Sequence, residues 1–214
     1  MKTFFTKVLN KLRNIKRKLW LRRLHRKNKN HTFSLITNDC VGGVICHDLG
    51  EQFRSPTVNL WIPRDCYLEF VQNLKYYLQC DIEEIHIESR NYPVGRIIPK
   101  DDEHIPIEVN FMHYHSFDEA YAKWKERSAR VDYDNLYFIW DYAYDDDDRI
   151  RTFDAWDVRK LIILHKPIDG IENCEITDCY NENPRNGKIL EIKPNSIKRY
   201  LDEIDYLGFL NADE

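Results

Sequence analysis

The sequence predicts a single α/β domain, with a mostly parallel or mixed sheet and flanking helices, preceded by an N-terminal basic amphipathic helix. Three observations carry this. Short apolar runs of strand length alternate along the chain with stretches of helical period. The chain has 214 residues, 43% of them hydrophobic and 13% aromatic, which suits one globular core and argues against disorder. The charge is divided. Residues 1–30 hold twelve Lys or Arg and no acid, and the rest holds twenty basic against 36 acidic residues. A division this sharp marks a basic arm with its own partner, at 1–30, ahead of an acidic domain, at 31–214.

In the arm, Phe5, Val8, Leu12, Ile15 and Leu19 recur at spacings of three and four, the period of one helical face. Lys7, Lys11, Lys18, Arg22 and Arg26 fall mostly elsewhere, and residues 27–30 read as a short linker. Such a helix suits an anionic membrane surface, which attracts it by about 1 kcal/mol per basic residue. A membrane-protein partner, packing on its own acidic domain and nucleic acid are the other partners, the last not favoured. The helix is expected to pack loosely, if at all, on the domain.

Strands are expected at 33–37, 57–62, 82–88, 105–112, 136–140 and 161–164, and helices at 63–79, 116–131 and 196–206. Ser116 with Glu119 three residues later forms a capping box. No segment approaches the roughly 20 apolar residues of a membrane span. The first apolar residues are interrupted by Lys and Arg, unlike a secretory signal. Six cysteines show no CxxC pair, so a zinc site is not expected. These features place the protein in the cytoplasm, or peripherally on the inner face of the cell membrane.

Cys40 lies in a glycine-bearing turn after the first strand, where α/β folds expose ligand-binding side chains. As a nucleophile it needs a base. His47, His113 and His115 are candidates, with Asp48 or Asp141 to orient one; the alternative is a small inert core thiol. His113 and His115 flank Tyr114 and share a face if the segment is a strand. Lys123, Arg127 and Arg130 fall on one helical face and suit a phosphate or sugar nucleotide, or a solvated face paired with Glu119 and Glu126. Asp145–Asp148 could hold a divalent cation beside nucleotide phosphates, or form a solvated loop. No metal is assigned and the cofactor stays open. Dinucleotide and P-loop glycine patterns are absent.

The run Phe33-Ser34-Leu35-Ile36-Thr37-Asn38-Asp39-Cys40-Val41-Gly42-Gly43 resembles the opening of an uncharacterised bacterial family often labelled exopolysaccharide biosynthesis protein, typically Ile-Ser-Asn-Asn-Cys-Trp-Gly-Gly. Thr37, Asp39 and Val41 depart from it. His47-Asp48-Leu49-Gly50, Ser55-Pro56-Thr57, Tyr92-Pro93-Val94-Gly95, His113-Tyr114, Glu119-Ala120, Lys123-Trp124, Arg127, Arg130 and Asp134-Asn135-Leu136 continue the likeness in order to about residue 211. It leaves the basic helix outside. The resemblance implies an α/β domain associated with capsule or exopolysaccharide synthesis and supplies no reaction. The expected function is a glycosyl or acyl transferase at the cytoplasmic membrane face, acting on a sugar nucleotide or glycan. A scaffold or regulator of a polysaccharide assembly complex, and a Cys/His acyltransferase or hydrolase, are the alternatives. The expected site is Cys40, His113 and His47 as catalytic groups, with Asn38, Ser55, His115, Arg127 and Arg130 binding substrate.

Overall fold

A computed structural model describes residues 2–142, 147–180 and 188–212, without the side chains of 2–10 and 180. The chain begins with α1 (Lys2–Lys27), then β1 (Ser34–Thr37), α2 (Val41–Leu49), α3 (Arg64–Gln72) and α4 (Leu74–Tyr77). Three strands follow, β2 (Asp81–Ile85), β3 (Val94–Ile98) and β4 (Ile107–Asn110), and then α5 (Phe117–Ser128). The last part holds β5 (Leu136–Tyr142), α6 (Asp148–Ala155), β6 (Lys160–Leu164), β7 (Cys174–Ile176), short 3-10 turns and α7 (Tyr206–Leu210).

The strands form two sheets: a parallel one in the order β1-β5-β6-β7 and an antiparallel one in the order β2-β3-β4. Parallel neighbours need crossover connections, and the parallel strands are apolar on both faces as a covered sheet requires. Leu35, Tyr137, Ile139, Leu161 and Ile163 face one way, onto α2 and α7. Ile36, Phe138, Trp140, Tyr142, Ile162 and Leu164 face the other, onto α3, α5, α6 and the antiparallel sheet. Trp124, Trp140, Tyr67, Tyr77 and Phe153 are fully buried there, each contributing roughly 2 kcal/mol of transfer free energy.

Several elements differ from the sequence expectation. Residues 57–62 do not make a strand, because Asn59 turns the chain at φ 65°; Trp61 alone bridges to Asn110. The helix expected at 63–79 breaks at Asn73 (φ −114°, ψ 30°), whose side chain bonds back to Glu69. The helix expected at 196–206 is a 3-10 turn at Leu201–Glu203 followed by α7. The glycine-bearing turn runs straight into α2. Gly42 lies against Thr37, where a Cβ would meet its Cγ2 at 2.7 Å, so this glycine lets α2 settle on β1 rather than admit a substrate. α2, β3, α6 and β7 were not anticipated.

The basic arm does not stand apart. Arg17 of α1 donates to Asp202 at 2.7 Å and to Asp48 at 3.0 Å. His25 Nδ1 hydrogen-bonds the Leu49 carbonyl, and Leu24 packs on the core. The segment read as a linker is partly buried: Asn28 bonds Glu51 at 2.9 Å, and Asn30 bonds Tyr137 at 3.2 Å.

Candidate active site

The chain leaves β1 towards α2, on one face of the parallel sheet, and leaves the adjacent β5 towards α6, on the other. Adjacent strands whose connections part in this way open a crevice at their carboxyl ends, the usual ligand position in open α/β sheets. Asn38, Asp39 and Cys40 follow β1 at this edge, and Asp141 and Tyr142 end β5 there.

Asn38 extends the ladder with its side chain. Its Nδ2 donates to the Asp141 carbonyl at 3.1 Å, and its Oδ1 accepts from the Asp141 N–H at 2.8 Å. The β1–β5 register, with Thr37 opposite Ile139, then brings Asp39 level with Asp141, on strands about 4.8 Å apart. The Asp141 carboxyl acts on that of Asp39 and pulls its pKa down. Two carboxyls this close titrate as a pair. Burial pushes the Asp39 carboxyl above its ordinary pKa, against the opposing pull of the Val41 N–H at 2.9 Å and of Asp141. Below the pair, the buried Tyr67 hydroxyl lies 3.1 Å from the Ile36 carbonyl and 2.9 Å from that of Ile139, tying β1 to β5. On the Asp141 side, Cys179 is pushed up to about 11 by burial and by the charges of Asp141 and Asp178. His165 directly follows β6 and is half-buried.

The residues expected from sequence fall around this crevice unevenly. Cys40 is at its edge, but its thiol contacts the Leu60 carbonyl at 3.7 Å and Met112 Sδ at 3.9 Å. A helix N-terminus favours a thiolate; here burial and the Asp39 charge outweigh it and push the thiol up to about 12. Among the described residues no histidine hydrogen-bonds Cys40. The thiol is therefore neutral near pH 7 and lacks the adjacent base of an activated nucleophile. β4 ends at Asn110, so His113 and His115 stand in a turn rather than on a strand, both exposed, with Tyr114 buried between them. His115 lines a separate cleft of about 490 Å³ with His86, Arg90 and Tyr92. His47 lies seven residues along α2 from Cys40, about 10 Å away, exposed and 3.2 Å from Asp48.

The expected substrate binders are engaged by the protein itself. The Ser55 hydroxyl is buried, 2.9 Å from Thr57 Oγ1, which in turn accepts from the Thr37 N–H. Arg127 is buried rather than solvated; it donates to Tyr114 Oη at 2.6 Å and the Val58 carbonyl at 3.2 Å and lies over Phe53. Arg130 pairs with Glu126 and reaches the Phe53 carbonyl. Lys123 pairs with Glu126 at 2.7 Å. Asp145 and Asp146 lie outside the described residues, and Asp147 caps α6, accepting from the Arg149 N–H at 2.9 Å.

A sequence profile described as "Domain of unknown function (DUF1919)" matches residues 11–211. The chain belongs to this family. It is also similar to an uncharacterized protein of Haemophilus influenzae, 32% identical over 211 residues, covering 97% of this chain and 98% of that one. The DUF1919 match begins inside α1, so the second half of the basic helix is part of the family domain, as its packing on α2 requires.

The sequence does not announce Asp39 and Asp141 of this DUF1919 chain as one site, nor single out His165 at the next strand end. Asp141 and His165 each follow a buried apolar pair, Ile139-Trp140 and Ile163-Leu164, and Asp39 comes two residues after the buried strand that ends Ile36-Thr37. That is the available sequence signal: an ionisable residue placed where a covered strand meets its carboxyl edge. Among the described residues no group of three or more His, Cys, Asp or Glu is arranged to hold a metal ion. Asp39 and Asp141 are the two carboxyls that could share a cation with a bound phosphate.

Proposed function

We propose that the protein is a transferase of cell-surface polysaccharide synthesis, exopolysaccharide or capsule, with its reacting centre in the crevice between β1 and β5. The observation that carries the chemistry is the Asp39–Asp141 carboxyl pair, brought together at the ends of β1 and β5. Two titratable groups whose environment separates their protonation states make an acid and a base. One carboxyl of the pair, ionised beside its protonated neighbour, takes the proton of an acceptor hydroxyl. The hydroxyl oxygen bonds to the transferred group, and the donor's leaving group departs with the electrons of the broken bond. Glycosyl and acyl transfer both fit this scheme, with a sugar nucleotide or a glycan as substrate. The polysaccharide setting rests on the sequence resemblance of residues 33–211 to an uncharacterised family often labelled exopolysaccharide biosynthesis protein. Among the described residues no helix is long and apolar enough to cross a membrane, and the reading places the chain peripherally on the inner face of the cell membrane.

The test is a deletion strain complemented with wild type, Asp39→Asn or Asp141→Asn, with surface polysaccharide composition as the readout. We expect wild type to restore the polymer and both variants, folded by thermal melting, to fail. Full restoration by both variants would remove the crevice as reaction centre and favour a scaffold. A deletion strain with unchanged polymer would remove the polysaccharide reading.

A further inference from the structure

α1 has two faces with different fates. Arg17 is held from below by Asp48 and Asp202, whose side chains are 2% and 0% exposed. It also donates to the Ile197 carbonyl at 2.7 Å. Trp20, Leu21 and Leu24 are partly covered on the same side. At about 100° per residue, Leu12, Ile15 and Leu19 fall within roughly 60° of one another and roughly opposite Arg17. They are 50%, 47% and 48% exposed, three of the largest apolar exposures in the described residues. Lys11, Lys18 and Arg22 lie along one margin of this stripe, and Lys16 and Arg23 along the other, all exposed. Among the described residues none of these five makes an ion pair, although the chain beyond residue 30 carries an excess of acid.

We propose that this outward face of α1 is a docking surface for an anionic lipid bilayer, and that the helix stays on the domain while it docks. Two features select lipid. The opposite side of the helix is locked on the core, so a partner meets only the outward stripe and its basic margins. The long basic side chains on both margins reach the plane of the aliphatic tips, so that aliphatics enter the headgroup boundary while the charges meet anionic headgroups. The Arg17 clamp makes the domain and the helix dock as one body, which sets the domain's orientation on the membrane. The proposal deepens the membrane-face part of the preceding reading. It is tested without substrate, so either can fail alone.

The experiment is co-flotation of the full chain with phosphatidylcholine vesicles, with and without phosphatidylglycerol. We expect binding only with phosphatidylglycerol, weakened by salt. Lys11→Gln/Lys18→Gln/Arg22→Gln should weaken it about a hundredfold. Leu12→Asn/Ile15→Asn/Leu19→Asn should abolish it at unchanged melting temperature, because all three side chains are exposed. Absence of binding to the anionic vesicles, or equal binding by wild type and the Asn variant, overturns the proposal. So does a concentration-dependent dimer that the Asn variant breaks with no vesicle binding by wild type, which would assign the face to a second copy.

Discussion

At Asp39 a carboxyl is held where its charge is poorly solvated. A group whose folded pKa lies above its unfolded value contributes stability that is complete below the unfolded pKa, and that is lost as pH rises through the folded one. Asp39→Asn is therefore expected to melt above wild type at pH 7, the gap closing as pH falls below about 4, where the carboxyl is neutral in the folded and the unfolded chain. Melting curves across that range check it; a variant less stable than wild type at pH 7 would mean the charge is welcome there. At Cys40 the direction is similar, with the thiol pushed up to about 12. Limiting iodoacetamide at neutral pH should label Cys40 no faster than the half-buried Cys66, as peptide mass spectrometry would resolve. Arg127 carries its charge inside, on a carbonyl and a phenol. Arg127→Met removes both bonds while Tyr114 Oη still donates to the Val58 carbonyl, and should cost about 1–2 kcal/mol in urea unfolding, with no dependence on ligand.

At the scale of the element, α1 and α2 are joined at two points. Gly50 ends α2 at φ 72°, and a Cβ there would stand 3.1 Å from the His25 ring. Gly50→Ala should cost about 1–2 kcal/mol from the left-handed backbone, more if the ring cannot move. The second point is the cluster of Arg17, Arg199, Asp48 and Asp202. Removing one member of a buried ion pair leaves an uncompensated charge, so Asp202→Ala should destabilise the chain by about 3–5 kcal/mol. Deleting residues 2–27 should lower the melting temperature as well. An unchanged one would show that α1 contributes nothing to the fold. The capping box illustrates an element that local sequence does determine: the Glu119 N–H reaches Ser116 Oγ at 3.3 Å, and Glu119 returns to the His115 N–H.

For the whole molecule, the parallel sheet is the organising layer. β5 and β6 are interior strands, covered on both faces. Their amides should exchange with solvent more slowly than those of β2, an edge strand with a half-exposed face. Hydrogen-exchange mass spectrometry reads this directly, and the reverse order would place the last structure to open in the antiparallel sheet.

Local chemistry determined the α/β class, the amphipathic α1, the cap of α5 and the buried strands, because these depend on residues within one or two turns of each other. The apolar stripe of Leu12, Ile15 and Leu19 was legible for the same reason. What the stripe's opposite side does was not legible: Arg17 finds Asp202, 185 residues away. The candidate site has the same character. Asn38 and Asp141 are separated by 103 residues, and only the register of β1 on β5 makes Asp39 and Asp141 neighbours. Nothing in a run such as Thr37-Asn38-Asp39 states which strand will lie beside it. Arg127 looked like a surface cation by helical spacing, and tertiary packing turned it inward onto Val58. Sequence periodicity sets which way a side chain leaves its own element. Only the assembled layers decide what it meets there, and hence whether a carboxyl keeps its proton.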